Sequence, residues 1–95
     1  MHQLVVHCKR SKYDVYIGRP SKFGNPFTIG KDGSRDEVIA KYKTWLKDEV
    51  AVGRFTIDDF AELKGKVLAC WCAPLPCHGE VIVEVIEKLI ACGKL

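Results

Sequence analysis

No apolar stretch in this 95-residue sequence is long enough to cross a bilayer. The longest, around Val81 to Ile86, is interrupted by Glu84. The opening residues Met1-His2-Gln3-Leu4-Val5-Val6-His7 carry no basic region, no long apolar core and no cleavage site, so no signal peptide and no membrane partner are expected. Charge of one sign is scarce as well. Lys and Arg exceed Asp and Glu by only 3, and they form no basic stripe. That balance disfavours nucleic acid and suits a small anion. Internal repeats, linkers and low-complexity segments are missing, and 95 residues leave room for a single domain spanning 1–95. A complete disulfide framework is excluded by the odd count of 5 cysteines, which without a secretion signal points to a reducing cytoplasm.

What is present is ordinary globular material. With 47% hydrophobic and 28% charged residues the chain is not a disordered tail. A chain this short buries a modest core, so a homo-oligomer, most simply a symmetric dimer, is expected.

Valine-rich residues 4–8 read as a strand, and 13–17 as a second, with Tyr13, Val15 and Ile17 on one face. Gly18 opens a long aperiodic loop. Such loops in small domains are disproportionately functional. Ser34 and Glu37 form a capping-box pattern that starts a helix carrying Val38, Ile39, Tyr42, Trp45, Leu46 and Val50 on one side, with Gly53 as its stop. Thr56 caps a short helix with Phe60 and Leu63, closed by Gly65. Residues 67–71 are apolar on both faces and read as a central strand. Cys77 or His78 opens the last helix, whose core face is Val81, Ile82, Val85, Ile86 and Leu89, and Gly93 ends it. The fold class is therefore α/β or α+β: a small single-layer sheet of three or four strands with helices packed on it. The strand order stays open.

The chemistry concentrates in residues 66–80, which hold 3 of the 5 cysteines. A strand running into a helix places unsatisfied N–H groups at the sheet edge, where an anion is favoured. Pro74 and Pro76 stiffen the turn, and Gly79 would let a ligand approach the backbone. Cys77 stands where a helix terminus lowers a thiol pKa, and His78 beside it could act as acid or base. Cys70 reads as core, and Cys72 sits where the strand should end. Zinc is not expected: adjacent Cys77 and His78 serve one ion awkwardly, and the spacing of Cys70, Cys72 and Cys77 is not that of paired knuckles. Neither Cys70 with Cys72 nor Cys72 with Cys77 has the two-residue spacer of thioredoxin-like motifs. The other wall of the site would be the loop after Gly18. There Arg19, Lys22 and Asn25 could hold an anion and Phe23 could stack on a ring. The structural alternative is a loop that pins itself with Phe23 and Phe27 in the core.

Residues 15–27, Val-Tyr-Ile-Gly-Arg-Pro-Ser-Lys-Phe-Gly-Asn-Pro-Phe, with Gly30 and the Arg35-Asp36-Glu37 helix start, resemble the opening of the family called domain of unknown function 4326. Residues 68–80, Leu-Ala-Cys-Trp-Cys-Ala-Pro-Leu-Pro-Cys-His-Gly-Glu, resemble its close. The resemblance covers about residues 13–90 and implies a small bacterial or phage protein inside the cell, with no established activity. The Cys-His pair also resembles domain of unknown function 488. That family commonly carries arginine where this chain has Gly79, a place Arg19 could fill.

Together these readings predict a binder of a phosphorylated, nucleotide-like small molecule. Its anion would lie on the N-terminus of the last helix, under Arg19, Lys22, Phe23, Asn25, Cys72 and Gly79, with no cofactor. The competing expectation is an enzyme of hydrolase or glycosidase type. In it Cys77 would be the nucleophile or His78 the general base, acting on a nucleotide, nucleoside or phosphoester.

Overall fold

The computed structural model describes residues 5–19, 21–71 and 77–95. Its elements follow the expected order: β1 (Val5–His7), β2 (Val15–Tyr16), α1 (Arg35–Ala51), α2 (Ile57–Ala61), β3 (Leu68–Cys70) and α3 (Gly79–Ala91). The three strands form one sheet in the order β1-β3-β2, and β3 pairs with both neighbours in parallel. This is an α/β fold. Leu68 sits opposite Val5 on one side and Val15 on the other. Leu68, Ala69 and Cys70 are buried, as a central parallel strand requires.

The strands are shorter than their apolar runs. Each run continues past its ladder as single hydrogen bonds: the Cys8 N–H donates to the Cys70 carbonyl at 3.0 Å, and the Ile17 N–H to the Ala69 carbonyl at 2.9 Å. Residues 8–14 alone link β1 to β2. So short a link suffices because a three-residue strand needs a return of only about 10 Å.

Helix starts match the capping signals. The Ser34 side chain accepts from the Glu37 N–H while the Glu37 carboxylate accepts from the Ser34 N–H, and Thr56 and Asp59 repeat the arrangement on α2. Gly53 and Gly93, at φ +84° and +76°, take the left-handed conformation just past α1 and α3. α1 buries Val38, Tyr42 and Leu46, but Val50, expected inside, is 43% exposed. α3 buries Val83 as well as Val81, Ile82 and Ile86, because it packs on β3, α1 and α2 together. Its Val85 and Leu89 are only half-buried. None of the described helices is long and apolar enough to cross a membrane.

Candidate functional site

A cavity of about 230 Å³ opens outside the carboxyl ends of β2 and β3. That is where open α/β sheets offer their crevice. Gly18 and Arg19 lead out of β2, Cys70 ends β3 with Trp71 just after it, and Cys77 and His78 stand just before α3. The remaining walls are Asn25, Phe27, Thr28 and Ile29 of the loop and Arg35, Val38 and Ile39 of α1. Two arginines and no carboxylate are found among the described lining residues.

The loop holds its own shape. The Ser21 N–H donates to the Gly18 carbonyl at 2.9 Å and the Gly24 N–H to the Ser21 carbonyl at 3.0 Å, so the chain reverses tightly after Gly18. The Tyr16 hydroxyl donates to the Arg19 carbonyl at 3.0 Å, and the Arg19 guanidinium donates to Thr28 Oγ1 at 3.3 Å. Asn25 works in both directions: its amide donates to the Val38 carbonyl at 3.3 Å and its oxygen accepts from the Phe27 N–H at 2.9 Å. This second bond is an Asx turn. Asn25 thus ties the loop to α1 from within the cavity wall.

Lys22 and Phe23, expected in the site, turn the other way. Lys22 Nζ lies 2.9 Å from the Asp59 carboxylate of α2 and 4.8 Å from the Phe55 ring centre. Phe23 is buried between Phe55 and Phe60, with ring centres 4.9 and 5.7 Å away, and its carbonyl accepts the buried Tyr42 hydroxyl at 2.8 Å. A phenylalanine gains more by leaving water for that aromatic cluster than by lining an open rim.

Gly79 also differs from expectation. A Cβ there would come within 2.8 Å of Val5 Cγ1 and 2.9 Å of Ile17 Cδ1. The missing side chain lets α3 sit down on the sheet, which is a packing role and not room for a ligand. The first-turn N–H groups of α3 are engaged within the chain. Gly79 donates to Cys77 Sγ at 3.4 Å, Glu80 to the Cys77 carbonyl at 3.2 Å and Val81 to the His78 carbonyl at 3.0 Å. An anion in the cavity would therefore lean on the arginines and not on this helix terminus. Cys72 lies outside the described residues.

His78 and Cys77 are both buried on the cavity floor. Because a carbonyl can only accept, the His78 Nε2–H must donate to the Ile17 carbonyl at 2.8 Å, which fixes the tautomer. The Tyr42 ring meets the imidazole edge-on at 5.0 Å. Burial pushes the His78 pKa below the usual histidine value, the Ile17 carbonyl opposes this, and the Arg19 charge adds to it. His78 is therefore neutral near pH 7. Tyr42 is held protonated by burial and by the nearness of Cys77. Cys77 Sγ lies 3.0 Å from Cys70 Sγ.

Sequence reasoning passed over Arg35 and the Cys70–Cys77 contact. A signal for Arg35 existed. A cation in the first turn of a helix opposes the helix dipole, which Asp36 and Glu37 offset, and such a placement asks for a reason.

A short parallel α/β sheet with a cationic crevice at its carboxyl edge defines the class of protein. Within it, the chain belongs to the family described as domain of unknown function DUF4326, whose model matches residues 6–88. It is 36% identical over 86 residues to the uncharacterized 12.4 kDa protein in the nrdA-td intergenic region of Enterobacteria phage T4, covering 90% of this chain and 78% of that protein. It is 34% identical to the uncharacterized protein R718 of Acanthamoeba polyphaga mimivirus, covering 92% of this chain and 81% of that one. No solved structure matches it.

Proposed function

We propose that this chain binds a phosphorylated, nucleotide-like small molecule in the cavity between the long loop, α1 and the Cys77-His78 turn. The observation that carries the reading is the pairing of Arg19 and Arg35, from separate segments, over walls that hold Phe27, Ile29, Ile39 and Trp71 and no described carboxylate. Guanidinium groups suit phosphate, and the aromatic and aliphatic wall suits a ring. The volume of about 230 Å³ lies below the usual 300–1,000 Å³ of drug-sized pockets, which favours a mononucleotide or smaller over a dinucleotide. We place the protein in the cytoplasm on its cysteine usage. We expect a homodimer through the apolar groove of Leu46, Val50, Val81, Val85 and Leu89 between α1 and α3. Sedimentation showing only monomer at high micromolar concentration would remove that dimer.

The test of the ligand reading is native mass spectrometry of the purified protein, followed by calorimetry with the phosphorylated compound found and with a mononucleotide panel. Arg19→Ala should weaken binding by about 1.5–3 kcal/mol, roughly 10- to 150-fold, the worth of a hydrogen bond to a charged group. Its stability should stay within about 0.5 kcal/mol of the parent, since Arg19 is exposed. Unchanged affinity in Arg19→Ala defeats the reading. The enzyme alternative separates on Cys77→Ser: a binder keeps its affinity, whereas a cysteine enzyme keeps binding and loses turnover of the same compound.

A further inference from the structure

We propose that Cys70 and Cys77 form a reversible two-cysteine redox centre. It closes to an intramolecular disulfide by exchange with a low-molecular-weight disulfide that enters through the cavity. The proposal does not depend on the anion reading. It rests on a juxtaposition that linear spacing hides. The two thiols, seven positions apart, have sulfurs 3.0 Å from each other at the floor of the one cavity that both line. A disulfide needs about 2.05 Å, so the sulfurs have only about 1 Å to travel.

The two cysteines are not equivalent. Cys70 is the last residue of β3, and its carbonyl is held by the Cys8 N–H at 3.0 Å. Cys77 stands just before α3, and its sulfur accepts the Gly79 N–H at 3.4 Å. That N–H can hold the charge that develops on the Cys77 sulfur during exchange. Cys77 is therefore the nucleophile and Cys70 the resolving thiol. In the first step Cys77 Sγ bonds to one sulfur of the incoming RSSR. The RS–SR bond breaks, and the proton lost from Cys77 leaves with the first RSH. In the second step Cys70 Sγ attacks Cys77 Sγ, the mixed disulfide breaks, and the second RSH carries away the Cys70 proton. Two protein thiols are oxidised and one small disulfide is reduced to two thiols. The reverse sequence, with excess RSH, reopens the centre.

The test uses bis(2-hydroxyethyl) disulfide with 2-mercaptoethanol, on a variant in which Cys8→Ser, Cys72→Ser and Cys92→Ser leave only this pair. After acid quenching and maleimide trapping in denaturant, intact mass should show the closed disulfide replacing the doubly trapped chain. The mixed adduct should be at least about tenfold scarcer, because resolution by a neighbouring thiol is intramolecular. Replacing Cys70 as well should convert the product to the mixed adduct on Cys77. A persistent adduct in the two-cysteine chain, or thiols that do not react while the denatured chain does, overturns the proposal. Should the triple variant fail to fold, the unaltered chain is treated in the same way, cut after Trp71 and fragmented. A 70–77 bond supports the proposal, and a bond from Cys72 to either partner, or no bond, overturns it.

Discussion

Arg19 and Lys22 are cations of one loop, three positions apart, and they point to opposite sides of it. Arg19 lines the cavity, whereas Lys22 reaches α2 and pairs with Asp59. The aromatics of the loop divide in the same way. Phe23 is 8% exposed in the core, while Phe27 lines the cavity. The tight reversal through Gly18, Ser21 and Gly24 causes the split by turning successive side chains to different neighbours. A loop rich in functional residue types thus has a structural half and a candidate binding half, and composition does not say where one ends. The turn does.

The largest effect should come from the structural half. Phe23→Ala removes a ring packed between Phe55 and Phe60. It should destabilise by about 3–5 kcal/mol, as truncations of buried aromatics do. Urea unfolding of Phe23→Ala and Phe27→Ala side by side reads the contrast. A loss from Phe27→Ala as large as that from Phe23→Ala would erase the division.

Gly24 is the joint between the halves. A Cβ there would stand 3.0 Å from both Arg19 Cα and Arg19 N, backbone atoms that cannot swing aside as a side-chain tip can. Gly24→Ala should cost about 1–3 kcal/mol of stability through overpacking. It should also weaken nucleotide binding by displacing Arg19, although Gly24 is not among the lining residues. Stability and affinity both at the parent's level would show that the two halves move independently.

Much of this architecture could be read in advance, because its signals are local. Ser34 with Glu37, Thr56 with Asp59, and the glycines at 53 and 93 announce helix ends through bonds to near neighbours. The central place of β3 showed in its unbroken apolarity. What escaped was set by contacts distant in sequence. Lys22 meets Asp59 across 37 positions, and Gly79 is small for the sake of Val5 and Ile17, which no local pattern reveals. Cys70 and Cys77 escaped because a strand end and a helix start were compared with linear motifs, and the sheet places them side by side.

On the cavity floor, His78 links the loop to the turn before α3 through its bond to the Ile17 carbonyl. Its pKa is lowered chiefly by burial, and among the described residues Arg19 adds to that lowering and the Tyr42 ring packs against it. The unfolded chain therefore takes up a proton on this ring before the folded chain does. Stability from the neutral ring is complete above about pH 6.5 and is lost as pH falls from there through the folded value. The slope in this window should not exceed about 1.4 kcal/mol per pH unit, the limit for one proton. His78→Gln, which keeps an N–H donor for Ile17, should remove that slope in denaturant titrations between about pH 5 and 7. Identical slopes in parent and variant would place the imidazole in water and detach it from the cavity floor.

The smallest effect should be that of Lys22→Ala, and it bears most directly on the division of the loop. The Lys22 side chain is 51% exposed, so its pair with Asp59 is screened by water. Its ammonium lies 4.8 Å from the Phe55 ring centre, a contact worth about 0.5–1 kcal/mol at an exposed site. Asp59 keeps its other duty, accepting the Thr56 N–H at the start of α2, so the helix should not unravel. The expected loss is therefore about 0.5–1 kcal/mol in all, shrinking with added salt as surface pairs do. Affinity for a mononucleotide should be unchanged, because Lys22 faces α2. A tenfold loss of affinity in Lys22→Ala would put this lysine in the binding half and move the boundary of the site past the Gly18–Ser21 turn.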